Sequence, residues 1–88
     1  MEEENNIEVI ILLNKNITLK KMHNVKMIRI KDEKYNLLIM KDYWPVLGEI
    51  NGSISFDGDD AVSFENIKGF YVLSNNIFHL IIIDDDKD

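Results

Sequence analysis

With 88 residues and 10.3 kDa, the chain makes one domain that buries roughly 64% of the surface an extended chain would expose. That leaves room for a thin sandwich or small barrel core but not for a deep substrate cavity. Fourteen Ile and five Val against one Ala and one Pro favour strands over helices, and the absence of Cys excludes disulfides, thiolate metal sites and Cys nucleophiles. The net charge of −6 is segregated: the stretch from Lys15 to Lys41 holds eight of the ten basic residues against Asp32 and Glu33, while the remainder holds two Lys against fourteen acids. Such a division can steer a partner. Seven of the eight aromatics lie outside the basic stretch, which argues against nucleic acid. The longest apolar run, Val9 to Leu13, is too short to span a membrane, and the Met-Glu-Glu-Glu opening carries the wrong charge for a signal peptide. A soluble, intracellular β protein is expected.

In chain order, residues 1–6 read as a loose acidic N-terminus. The first strand is Ile7–Leu13; its two faces are both apolar after Glu8, the pattern of a strand covered on both sides. A turn at Asn14-Lys15-Asn16 leads to a short strand, Ile17–Lys20. Met22-His23-Asn24 reads as another turn, into Val25–Ile30, where Met27-Ile28 breaks the alternation. The charged turn Lys31-Asp32-Glu33-Lys34 precedes Tyr35–Met40. Asn51-Gly52 is the strongest hairpin signal, because both residues accept positive φ; it is expected to join Val46–Ile50 to Ser53–Asp57. Asp57-Gly58-Asp59-Asp60 and Asn66–Gly69 read as turns bounding Ala61–Glu65. Phe70–Leu73 then reverses at Asn75-Asn76 into Ile77–Ile83, and residues 84–88 form an acidic tail. The predicted fold is all-β: a small antiparallel β-sandwich of about eight to ten short strands over residues 7–83.

No catalytic constellation can be assembled. His23 and His79 are far apart in sequence with no carboxylate within four residues, so solvated or hydrogen-bonded structural roles are expected of both. Asp57–Asp60 lacks the alternating oxygen ligands and distal Glu of a calcium loop. The serines have no nucleophile-elbow context, and no glycine precedes a helix N-terminus that could cradle phosphate. No cofactor and no metal are expected.

The segment Met40–Leu47 stands apart because it holds the only Trp and the only Pro. Tyr43 and Trp44 cannot both face a thin core. Two readings are open: one of them is an exposed interface anchor, or Trp44 plugs the end of the sandwich.

The closing run Lys68-Gly69-Phe70-Tyr71-Val72-Leu73-Ser74-Asn75-Asn76-Ile77-Phe78-His79-Leu80-Ile81, with Tyr43-Trp44-Pro45-Val46-Leu47 before it, resembles the N-terminal β-sandwich domain of the epsilon subunit of F-type ATP synthases. Tyr43 stands where that family often has His. Asn51-Gly52 replaces its Pro-Gly turn, and Tyr35–Met40 lacks the family's glycines, departures that suggest a divergent, F-type-like ATPase.

The resemblance implies a non-catalytic central-stalk subunit that binds the gamma subunit and, in membrane-bound complexes, the polar loops of the c-ring, without entering the membrane itself. It implies a cytoplasmic location, at the inner face of the membrane where the complex is attached. Because the sequence ends after the sandwich, no C-terminal helical hairpin is expected, and with it no hairpin-mediated inhibition or ATP sensing. The interface is expected at Lys31, Lys34, Asn36, Tyr43, Trp44 and Pro45, around the two ends of Tyr35–Met40. A free-standing β-sandwich module for binding a protein or carbohydrate is the alternative of a different class.

Overall fold

The structure, a computed structural model, describes residues 6–14 and 16–83. Residues 1–5 of the expected acidic N-terminus, and the acidic tail at 84–88, lie outside the described residues. Six strands account for the fold: β1 (Ile7–Leu13), β2 (Ile17–Asp32), β3 (Asn36–Met40), β4 (Val46–Gly58), β5 (Val62–Ser74) and β6 (Ile77–Ile82). Their order is β1-β6-β5-β4-β2-β3, and a further β1–β2 pairing closes the sheet on itself. The fold is all-β, as expected. The sheet is mixed rather than purely antiparallel, because β1 and β6 run parallel.

Three segments expected to be turns are instead places where long strands bend. Met22-His23-Asn24 lies inside β2. There the register advances from Ile7↔Val25 to Val9↔Met22, so β2 carries an extra residue, a bulge that bends and twists the strand. Asn66 carries the corresponding bulge in β5 with φ 58°, between the pairs Gly52↔Ile67 and Ile54↔Phe64. Asn51-Gly52 lies inside β4, and no glycine adopts positive φ. Gly52 is there because of close approach: a Cβ would run into the backbone carbonyl of Lys31 on β2. The expected eight to ten short strands therefore merge into six, three of them long and bent.

The bends make two layers from one sheet. One layer contains the first halves of β2 and β4, the second half of β5, and all of β1 and β6. The other contains β3 with the second halves of β2 and β4 and the first half of β5. Strands that pass between layers at bulges are the corners of such packings. The ring of Phe56 on β4 meets that of Phe78 on β6 edge-on at 6.0 Å, although these strands share no hydrogen-bonded register. Bulges also shift which parity faces inward. On β2 the buried positions are Met22, Val25, Ile28 and Ile30, which explains why strict alternation fails at Met27-Ile28.

The closing hairpin and the β1–β2 connection follow the sequence more simply. Asn75 and Asn76 both have positive φ, 52° and 63°, the backbone that a two-residue hairpin turn requires. Asn14 has φ 53°, and the Asn16 amide donates to the Leu13 carbonyl at 3.2 Å.

Candidate docking surface

The loop from Lys41 to Pro45 is shaped by Asp42, whose φ is 64°. The Asp42 amide donates to Asn76 Oδ1 at 2.7 Å, and Asn76 Nδ2 donates back to Asp42 Oδ1 at 3.1 Å. This reciprocal pair ties the loop to the β5–β6 turn. The Tyr43 amide donates to the Met40 carbonyl at 3.1 Å, and the Tyr43 ring packs against the core. Trp44 is thereby turned out, with 82% of its surface exposed. A plug would be buried, so the plug reading of Trp44 is overturned.

Beyond Trp44 the outer face of the β4-β5-β6-β1 layer is apolar. Register aligns Leu47, Val72, His79 and Ile10 across four strands, and Glu49, Phe70, Ile81 and Leu12 in the next row. Leu47 is 76% exposed and Phe70 48%. Glu8, Lys21, Glu49 and Lys68 stand around this face. A dry centre with a charged margin is the usual anatomy of a protein interface. The expectation that β1 is covered on both sides is corrected here. Ile7, Val9 and Ile11 are fully buried, while Ile10 and Leu12 on the other face are only half-buried, with no further layer of described residues over them. The apolar face of β1 and β6 is legible as a pattern; what sequence reasoning misses is its joining with Leu47, Phe70 and Val72, which requires the strand register.

The other layer presents a different outer face. Arg29, Ser55 and Ser63 align across it, with Lys31 and Ser53 alongside. Lys31 and Asn36 are register partners on β2 and β3, and Lys34 sits in the connecting turn. Asp32 Oδ2 accepts the Lys34 amide at 2.9 Å and its Oδ1 accepts the Asn51 amide. Asn51 Nδ2 donates to Glu33 at 3.1 Å, so both acids of the turn are engaged with the bend of β4. The six residues expected at an interface thus fall into two groups: Lys31, Lys34 and Asn36 at the start of β3, and Tyr43, Trp44 and Pro45 after its end. The four strand residues Leu37, Leu38, Ile39 and Met40 separate them by roughly 13 Å.

The histidines are not brought together. His23 Nδ1 lies 3.7 Å from Glu8 Oε2, both side chains exposed. This neighbour comes from strand pairing rather than sequence spacing. His79 lies in the apolar face. Among the described residues, no group of three or more His, Asp or Glu is placed to hold a metal. Asp59, in the bend after β4, accepts from Asn24 Nδ2 at 2.7 Å.

No family model matches the chain, and no curated protein matches it. Solved structures do. A chain of the Tetrahymena thermophila mitochondrial ATP synthase central stalk and c-ring superposes with a TM-score of 0.72 at 16% identity, covering 94% of this chain and 67% of that one. At that identity the likeness is one of fold: this is a fold of the kind found in an ATP synthase stalk.

Proposed function

We propose that this chain is a non-catalytic central-stalk subunit of an F-type or F-like ATPase, binding the gamma subunit and contributing to the coupling of ATP synthesis and hydrolysis. The observation that carries the reading is the match of nearly the whole chain to an ATP synthase stalk structure. The resemblance of the closing run to the epsilon sandwich supports it from the sequence side. The apolar outer face of β4, β5, β6 and β1, with Trp44 at its end, supplies what a stalk subunit needs: a broad dry surface for a permanent neighbour. In this reading the gamma subunit covers that face. Polar c-ring loops are the second neighbours where a membrane rotor is attached, and Lys31, Lys34 and Asn36 form a separate basic contact. The protein then resides inside the cell, held peripherally at the membrane through the complex.

Affinity capture of the tagged chain from native extract tests the reading. Recovery of the ATPase alpha, beta and gamma subunits together is expected. Complete recovery of the bait without them would reject the stalk assignment and favour a free-standing binding module.

A further inference from the structure

Two layers built from bent strands leave four edges whose outer side has no strand partner among the described residues. Three of them are blunted in ways that natural sheets use against unwanted pairing. The first half of β2 carries Lys20 and Lys21 and is bulged. The first half of β5 carries Glu65 and the Asn66 bulge. The first half of β4 follows Pro45, and its Glu49 and Asn51 carbonyls accept bonds from the Tyr35 hydroxyl and the Glu33 amide.

The fourth edge, β3, is the least defended, with only its last carbonyl, that of Met40, engaged, by the Tyr43 amide. Asn36-Leu37-Leu38-Ile39-Met40 contains no Pro, no charge and no bulge, and its register with β2 is unbroken. Leu38 and Met40 are 43% and 51% exposed, and a shallow groove runs beside β3, lined by Arg29, Lys31 and Leu38. Arg29 and Lys31 stand on the adjacent strand and Lys34 at the start of the edge, while Asp32 accepts the Lys34 and Asn51 amides and Glu33 accepts from the Asn51 side chain on β4.

We propose that β3 is a strand-addition site that receives an extended, acidic segment of a partner protein, with acidic and apolar residues in alternation. Main-chain bonds to the free edge would hold the segment, as in other β-augmentation complexes. Its carboxylates, on the outer face that carries Leu38, would face Arg29, Lys31 and Lys34, and its apolar side chains, alternating to the inner face, would lie beside Leu37 and Ile39. The site is separate from the apolar face assigned to gamma and does not depend on the stalk reading.

The test uses the full chain alone, isotope-labelled, and a synthetic peptide of about a dozen residues alternating Glu and Val, its ends capped. Binding is expected to shift the amides of residues 36–40 and to protect from hydrogen exchange those of Asn36, Leu38 and Met40, which point away from β2. It is expected to weaken roughly tenfold or more between about 50 mM and about 500 mM salt. A Lys-Val peptide should bind at least about tenfold more weakly, as should the Glu-Val peptide to the Leu38→Pro chain, which loses an outward amide of the edge, and to the Arg29→Glu, Lys31→Glu chain. Failure of the Glu-Val peptide to bind, or binding that leaves the β3 amides unprotected, overturns the proposal. Protection of those amides by rising protein concentration alone, without peptide, also overturns it and assigns the edge to a second copy of the chain. None of these outcomes bears on recovery of gamma from extract.

Discussion

The hydroxyls of Tyr35 and Tyr71 lie 2.8 Å apart, and the direction of that bond is fixed by what else Tyr35 does. Its hydroxyl donates to the Glu49 carbonyl at 2.5 Å. A phenol has one hydrogen, so Tyr71, only 4% exposed, must be the donor to Tyr35. A residue beside β3 is thereby bolted directly to the edge of β4 and, by the bond it accepts, to β5, and the two layers are held at that end by a directed polar chain.

Removing the two hydroxyls should therefore have unequal effects. Tyr35→Phe leaves a buried Tyr71 donor without its acceptor, a loss expected to be about 1–3 kcal/mol; Tyr71→Phe leaves the bond to Glu49 in place and should cost about 0.5–1.5 kcal/mol. For a domain of this size each kcal/mol is about 4–8 °C of melting temperature. The Tyr35 phenol is also held well above its ordinary range, chiefly by burial. A raised phenol means that the folded state holds the proton more tightly. The stabilisation is fully present below the ordinary phenol value near about 10 and fades as pH rises beyond it. Urea melts at rising pH should show the gap between the native chain and Tyr35→Phe narrowing only above that value. A constant gap would disprove the linkage.

Gly48 lies in register with Tyr71. A Cβ there would sit 2.8 Å from the Tyr71 hydroxyl oxygen and 3.0 Å from Cζ, and the polar chain just described leaves that ring little freedom to move. Gly48→Ala should lose about 1–3 kcal/mol by overpacking. Combining it with Tyr71→Phe, which removes the oxygen, should recover part of the loss. Additive losses in the double variant would rule out this contact as the cause.

Asn76 does two things at once: it accepts and donates to Asp42 and it holds φ at 63°. Asn76→Gly keeps the backbone and loses the side chain, whereas Asn76→Ala loses both. The expected order of melting temperature is native, Gly, then Ala, with the last step about 1 kcal/mol. If Ala equals Gly, the turn backbone is not what Asn76 supplies.

The strand content was legible from composition, and the closing hairpin from Asn75-Asn76. The bends were not. A bulge residue and a turn residue are chosen for the same reason, tolerance of unusual φ, so Asn66 reads alike in either role. Gly52 is indistinguishable in sequence from a turn glycine; only the nearness of the Lys31 carbonyl explains it. The docking face was half legible. Ile10 and Leu12, alternating with the inward-facing Val9 and Ile11, betray a strand with two apolar faces. Whether the second face is covered within the chain or by another molecule depends on layer count. Tyr43 and Trp44 were legible as a pair with unlike environments; the loop pinned by Asp42 decides which of them turns out.

Trp44→Ala and Tyr43→Ala should therefore separate. With Trp44 82% exposed, its removal should leave stability within about 0.5 kcal/mol while weakening assembly with gamma by about 2 kcal/mol or more, as loss of an aromatic anchor does. Tyr43→Ala, which strips a ring from the core margin, should lower the melting temperature of the free chain. A sharp melting loss in Trp44→Ala with unchanged assembly would remove Trp44 from the interface.

The apolar face and the basic contact predict different failures. Leu47→Glu together with Phe70→Glu places two charges where the stalk reading puts a dry contact, yet both side chains are already substantially exposed in the free chain. Stability of the isolated protein should change by about 0.5 kcal/mol or less per site. Assembly should fail by several kcal/mol, because each carboxylate would be desolvated without a partner, and raising salt should not restore it. Lys31→Glu with Lys34→Glu acts on exposed charge instead. It should slow association with an acidic neighbour more than it speeds dissociation, and the difference from the native chain should vanish above roughly 0.5 M salt, where the Debye length shrinks to a few ångströms. Surface-immobilised gamma and a stopped-flow mixing series at two salt concentrations read both terms. Normal assembly by the Leu47, Phe70 double variant would show that gamma does not cover this face, whatever the fold.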